Sequence, residues 1–253
     1  MVSDKQEETI VENTGSTKTV LRNVRGEQHS RPSVLSDFIL GSQDGLVNVL
    51  GILLGLAAAN TSVRVFFVAA LAALGAESIS MGAVAYTSTL ARRQVYRKEV
   101  SRERQEMKDV PEIEKEEVRQ VFRGWGYEGN ELEELTEHIV RNPKAMLEFM
   151  MSYELDLAPV DKSEARRSFL IVGSSTVLGS FIPLIPCLFV GANILAGTVA
   201  SVIFSGSVLF FIGAFEAKTT VGSQLKSGLQ MAAIGLAAGL AGFLIGHFIG
   251  GLS

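Results

Sequence analysis

Apolar positions in this chain gather into five long runs, separated in the middle by one stretch where charged residues dominate. The runs cover about 34–59, 63–90, 169–189, 194–217 and 229–249. Each exceeds the roughly twenty residues an α-helix needs to cross a bilayer core, and a long apolar run with almost no charge predicts a helix solvated by lipid. The first run is the most polar, with Asp37, Gln43, Asp44 and Asn48, and the second carries Glu77. Pro183 and Pro186 fall inside the third, where neighbouring helices can satisfy the freed backbone groups. In the fifth, Gly235/Gly239, Gly242/Gly246 and Gly246/Gly250 repeat at four-residue spacing, a stripe that predicts close helix packing.

The charged stretch, 92–167, has helical patterning. Pro111, Gly124–Gly126 and Gly129–Asn130 divide it, and Pro143 suits the first turn of a further helix. Its first piece continues the second apolar run, which predicts one long helix reaching about Asp109. Glu103 and Glu106 are three residues apart, as are Glu114 and Glu117, so each pair shares a helical face. Met150 and Met151 precede Glu154 by four and three residues, which on an α-helix turns thioether and carboxylate the same way. Taken singly, such pairs are more often the wet face of a solvated helix than a ligand set, and paired methionines more often a core. Hard oxygen donors combined with two soft sulfurs suit a borderline divalent transition metal better than calcium or magnesium.

Composition sharpens this division. Of 27 Asp and Glu residues, 18 lie between Ala91 and Arg167, with 15 Lys and Arg; from Ser168 onward only Glu216, Lys218 and Lys226 are charged. The net charge of −4 is thus a sum over two unlike regions. No basic block with interleaved aromatics points to nucleic acid. The lone Cys187 excludes an internal disulfide and reads as a small apolar residue in a span. No nucleophile–base set, phosphate loop or cofactor fingerprint suggests an enzyme or a prosthetic group. Residues 1–32 read as a disordered polar tail without a signal-peptide core. Basic residues flank alternate ends of the runs: Arg22, Arg25 and Arg31 before the first, Arg92, Arg93, Arg97 and Lys98 after the second, Lys162, Arg166 and Arg167 before the third, and Lys218 and Lys226 between the fourth and fifth. The positive-inside rule then places the N-terminus and the charged insert in the cytoplasm.

Four segments resemble, in order, the vacuolar iron transporter family: Gly41-Ser42-Gln43-Asp44-Gly45-Leu46, Ser78-Ile79-Ser80-Met81-Gly82, Phe181-Ile182-Pro183-Leu184-Ile185-Pro186, and, in the insert between the second and third of these, Leu147-Glu148-Phe149-Met150-Met151 with Glu154. The resemblance covers about residues 33–250. It implies an all-α polytopic membrane protein with five transmembrane helices, a cytoplasmic helical metal-binding domain between spans two and three, and a homodimer. It further implies transport of Fe²⁺, with Mn²⁺ second, out of the cytosol in exchange for protons. The family's cytoplasmic ligands fall on Glu103, Glu106, Glu114, Glu117, Met150, Met151 and Glu154, and its membrane pathway on Asp44 and Met81. Where plant-type members carry an acid in the second span this chain has Ala73, and its own acid, Glu77, lies one turn further along.

The expected organisation is a tail (1–32), spans one and two (33–91), the metal-binding insert (92–167) and spans three to five (168–253). Asp44 and Asn48 share a face of the first span, and Glu77 and Met81 a face of the second. If those faces meet, within the chain or across a dimer axis, they form a polar seam for the ion, since ionisable groups inside a membrane are costly and by default functional. A passive divalent-metal channel and a membrane-anchored metal sensor or buffer are the competing readings. The membrane would be the plasma membrane in a prokaryote and the vacuolar membrane in a eukaryote.

Overall fold

A computed structural model of the protein describes residues 32–190, 193–219 and 222–250. The tail expected over 1–32 lies, but for Pro32, outside them. Among the described residues the chain is entirely helical, with eight α-helices and no strand. From Asp37 onward the described residues form one compact unit.

Among the described residues five helices are long and apolar enough to cross a membrane. They are α1 (Pro32–Ala58), α2 (Val63–Asp109), α6 (Lys162–Val190), α7 (Ile194–Thr219) and α8 (Gln224–Gly250). Between α2 and α6 lie α3 (Pro111–Gly124), α4 (Gly129–Val140) and α5 (Pro143–Phe149), the last running on into a π-helical turn, Met150–Glu154. The 47 residues of α2 span about 70 Å at 1.5 Å per residue, more than twice a hydrocarbon core of about 30 Å. Its second half therefore stands clear of any membrane that its first half crosses, as the sequence predicts.

Local chemistry explains the boundaries. Ser62 caps α2 by accepting from the Val65 amide, and Asn60 takes the left-handed conformation (φ 51°) in the tight α1–α2 connection. Pro111 opens α3 at a position that needs no amide donor. Gly126 (φ 93°) and Gly129 (φ 59°) make the left-handed turn residues between α3 and α4. Asn142 caps α5 by accepting from the Lys144 and Ala145 amides at 3.1 and 3.2 Å, with Pro143 just inside. Pro183 and Pro186 sit inside α6 without ending it, and Ser201 of α7 donates its hydroxyl to the Pro183 carbonyl.

The membrane helices pack mainly through glycine. A methyl placed on Gly246 would lie 2.0 Å from the Gly55 carbonyl oxygen, and one on Gly242 only 2.2 Å from that of Gly51. The fifth-span stripe is thus the surface on which α8 meets α1. On the other flank of α1, a methyl placed on Gly45 would lie 2.3 Å from the Thr176 carbonyl oxygen, and one on Gly179 of α6 2.0 Å from that of Ser42. Helix α1 is therefore clasped between α6 and α8 with backbones in contact, which small residues permit. A cluster of Val49, Leu53, Phe66, Ala70, Leu184 and Cys187 fills the space among α1, α2 and α6. Large side chains such as Leu195, Ile203, Phe211 and Phe248 point outward, as lipid-facing residues do.

The insert has a separate core of Val118, Phe122, Leu132, Met146, Phe149 and Met150. Arg119 clamps α3 to α4 by a two-pronged pair with Glu133 at 2.8 and 2.9 Å.

Gly246→Ala is expected to force α8 from α1 and cost about 1–3 kcal/mol, the scale of overpacking in a tight interface. Gly206→Ala, whose new methyl would meet only Leu236 at ordinary contact distance (3.7 Å), is expected to be neutral. Thermal denaturation of the two purified variants compares them directly; equal melting temperatures would refute the backbone-contact account of the stripe.

Candidate functional site

Two groups of polar residues come together, one in the insert and one between α1 and α2.

In the insert the second half of α2 offers Glu103 and Glu106, one turn apart, and α3 lies back against it with Glu114 and Glu117. Glu103 and Glu114 are almost wholly buried (1% and 3% exposed), while Glu106 and Glu117 are half-buried. One carboxylate oxygen from each of Glu103, Glu106 and Glu114 lies within 4.8 Å of the others, a spacing that fits one shared cation. The second oxygen of Glu114 is shielded from solvent and has no hydrogen-bond partner. A buried carboxylate oxygen without a donor is costly, so the group lacks something that a proton or a metal ion would supply.

The electrostatics agree. Burial, reinforced by the Glu103, Glu117, Glu106 and Glu154 charges, pushes the Glu114 carboxyl up to about 7. Glu117 is raised by burial and by Glu103 and Glu106. Glu154 reaches about 7 through loss of solvent on its inner side and the charges of Glu117 and Glu103, although its outer side is exposed. Glu103, Glu106 and Glu114 converge within 4.8 Å, and Glu117 and Glu154 lie near enough to feel their charge.

Met150 and Met151 lie on the turn that carries Glu154, packed against α2 and α3, and both are buried (0% and 2% exposed). Met150 belongs to the apolar core with Val118 and Phe122. The turn differs from the α-helical spacing expected for this segment. The Leu155 amide bonds to the Met150 carbonyl at 3.1 Å and the Leu157 amide to that of Met151 at 2.8 Å. This wider winding keeps two consecutive methionines buried where the helix ends, and single π-turns often occur at functional sites. Beneath it, Trp125 packs edge-on to Tyr153 (5.0 Å) and Phe149 stacks at a tilt on Phe122 (5.1 Å) and Tyr153 (5.1 Å).

Sequence spacing missed the cation already present. Arg102 reaches Glu99 at 2.9 Å, Glu103 at 3.1 Å and Glu106 at 3.2 Å. The available signal was its position three residues after Glu99 and four before Glu106, which by itself looks like an ordinary solvated ion pair.

Between the membrane helices, the Asn48 side-chain amide of α1 donates to the Glu77 carboxylate of α2, with the Asp44 carboxyl close beside it. The other Glu77 oxygen is shielded and without a partner. The faces predicted to meet do so within one chain at Asp44, Asn48 and Glu77. Met81 lies one turn further along α2, half-buried. Asn48 also lines an open groove of about 460 Å³ between α1 and α8, floored by Gly51, Gly55, Gly242 and Gly246.

Five apolar spanning helices, an interhelical carboxylate–amide cluster and an acidic, thioether-bearing insert define a polytopic membrane protein built to handle cations. The family model described as the VIT family matches residues 35–247, and the chain belongs to that family. It is 30% identical over 249 residues to vacuolar iron transporter 1 of Arabidopsis thaliana, covering 98% of this chain and 99% of that one. To vacuolar iron transporter 1 of Eucalyptus grandis it is 34% identical, covering 83% and 84% respectively, and to the vacuolar iron transporter of Plasmodium falciparum 30%, covering 87% and 84%.

The raised carboxyls fix the pH dependence of the metal-free insert. Between 4.5, the ordinary value, and about 7, folded Glu114 holds a proton that the unfolded chain has released, so stability falls as pH rises through that window. Glu117 and Glu154 act in the same sense. Glu133 and Glu137, held low by Arg119 and Lys115, act oppositely but only below 4.5. In chelator-treated protein the urea midpoint followed by Trp125 fluorescence is expected to drop between pH 5.5 and 8, and added Mn²⁺ to restore it at pH 8. A midpoint that rises with pH would contradict the buried-carboxylate account.

Proposed function

We propose that this protein transports divalent iron, with manganese as the second substrate, out of the cytosol. The insert captures the ion and the Asp44–Asn48–Glu77–Met81 seam passes it between the membrane helices. The observation that carries this reading is the convergence of Glu103, Glu106 and Glu114 within 4.8 Å, two of them buried and one with an unpartnered oxygen. The names of the relatives, all vacuolar iron transporters, support iron as the substrate.

In this mechanism Glu103, Glu106 and Glu114 supply the first oxygens, Glu117 and Glu154 complete the negative cradle, and Met150 and Met151 add thioethers that favour Fe²⁺ over calcium or magnesium. Such ligands bind metal only when deprotonated, so capture weakens as pH falls through about 7, the value to which Glu114 and Glu154 are raised. Asp44 and Glu77 then offer oxygens and Asn48 an amide in the seam, and a carboxylate that gives up the metal can take a proton. That exchange makes the transporter an antiporter. The insert and the N-terminus face the cytosol, on the side where Arg92, Arg93, Lys162, Arg166 and Arg167 flank the spans. A homodimer is part of this reading, as the resemblance to the family implies.

Transport is tested in proteoliposomes with Fe²⁺ kept reduced, comparing Mn²⁺, Zn²⁺ and Ca²⁺ and reading internal pH. Uptake is expected to follow an opposing proton gradient. Asp44→Ala and Met81→Ala should abolish uptake while leaving metal binding intact. Glu103→Gln with Glu114→Gln should weaken binding by more than about tenfold, the loss of at least one charge-assisted ligand. Uptake indifferent to the gradient would make the protein a channel, and binding without uptake would make it a sensor or buffer.

A further inference from the structure

Carboxylates crowded together need a counter-charge, and Arg102 brings one guanidinium to three of them. Its Nη1 lies 2.9 Å from Glu99, its Nη2 3.1 Å from Glu103, and its Nε 3.2 Å from Glu106. Two of these partners belong to the set of three that would hold the ion, and the third does not. Arg102 is also the base that opposes the upward shifts of Glu117 and Glu154, which places its charge in the field of the whole cluster.

We infer that Arg102 is a resident counter-cation that an entering divalent ion must displace from Glu103 and Glu106, and that Glu99 is the carboxylate that keeps hold of Arg102 when it leaves. The inference rests on the insert being the metal-capture site. A divalent ion drawing oxygens from Glu103 and Glu106 competes with the guanidinium for the same two carboxylates and repels it across a few ångströms. Arg102 is half-exposed, so it can swing outward, and its ion pair with Glu99 lies on the same helix one turn back. Glu99 has little exposure, and its Oε2, the atom nearest Arg102, meets no donor in good hydrogen-bond geometry. It can therefore take a better-aligned bond once the guanidinium turns toward it. Metal and arginine then exchange at the same carboxylates. This holds the metal-free cluster together and keeps affinity low enough for release.

A double-mutant cycle in the full-length protein, using Mn²⁺ as probe and calorimetry as readout, tests this. Arg102→Gln is expected to bind Mn²⁺ about tenfold tighter than wild type, the scale of one charge-assisted bond no longer in competition, while melting at a lower temperature without metal. Glu99→Gln is expected to bind several-fold weaker, because the displaced guanidinium loses its refuge; in the Arg102→Gln background the same change should alter affinity by less than about twofold. If Arg102→Gln cannot be recovered folded, Arg102→Lys takes its place: a single ammonium cannot bridge three carboxylates, so affinity should still rise. Unchanged or weaker Mn²⁺ binding by a folded Arg102 variant would overturn the inference, making Arg102 a strut for the ligands. An equal loss from Glu99→Gln in both backgrounds would also overturn it, making Glu99 a ligand. If Glu103→Gln with Glu114→Gln leaves Mn²⁺ binding unchanged, the capture site itself is wrong and the inference falls with it.

Discussion

Like charge held close together under cover is the constraint on which the rest of the insert depends. Glu103 and Glu114 are almost wholly buried and share a small space with Glu106. Removing two carboxylates from water and setting them side by side is unfavourable on both counts. The fold tolerates it by several means at once: Arg102 spreads one positive charge over three carboxylates, Glu114 shifts up to about 7, and a stiff aromatic layer of Phe122, Trp125, Phe149 and Tyr153 holds α3 and the π-helical turn together. A cation would relieve this crowding, which is what the proposed capture of an ion relies on. The same strain makes the site sensitive to protons, which relieve it equally well.

Helix α2 turns this local property into an architecture. It is a single α-helix from Val63 to Asp109, so Glu77 in the membrane half and Glu103 in the insert lie on one rigid element, about 39 Å apart at 1.5 Å per residue. At its membrane end α2 packs on α6, and Gly173 of α6 lies 3.2 Å from the Ser78 carbonyl as measured from a notional Cβ. Position and orientation of the insert therefore follow from packing among the spans. The glycine contacts of α1 with α6 and α8 matter for the same reason: they fix the helix that presents Asp44 and Asn48 to Glu77.

Much of this was legible in the sequence, and what escaped has a common cause. Segments bounded by strong breakers were readable, since Pro111, Gly126, Gly129 and Pro143 act through their own backbones and need no tertiary context. The length of α2 was readable because nothing between Val63 and Asp109 interrupts a helix. The convergence of the glutamates was only suggested by spacing, since i,i+3 pairs place carboxylates on a face without saying what the face meets. The π-helical turn was not readable, because it arises from how two buried methionines seat against α2 and α3. Arg102 escaped for the opposite reason. Its neighbours at three and four residues are visible, yet the same pattern on an ordinary surface helix is a weak, solvated pair. Only the burial of Glu103 gives this pair a different weight.

Separation along α2 also constrains how the two polar sites can cooperate. Charges about 39 Å apart are far beyond the screening length of about 8 Å in physiological salt, so an ion in the insert exerts almost no direct pull on the Asp44–Glu77 pair. Under the proposed mechanism the cluster therefore acts by raising the number of ions near the membrane face and releasing them, and tight binding would defeat that purpose. A site with five acidic residues and two thioethers has every means to bind too tightly. What limits it must come from competitors within the site itself: protons on Glu114 and Glu154 at and below about pH 7, and the guanidinium of Arg102 at any pH. The first competitor varies with conditions and the second is fixed by the covalent chain. In the proposed mechanism, together they keep binding reversible, which is what a collecting site needs if its cargo is to move on.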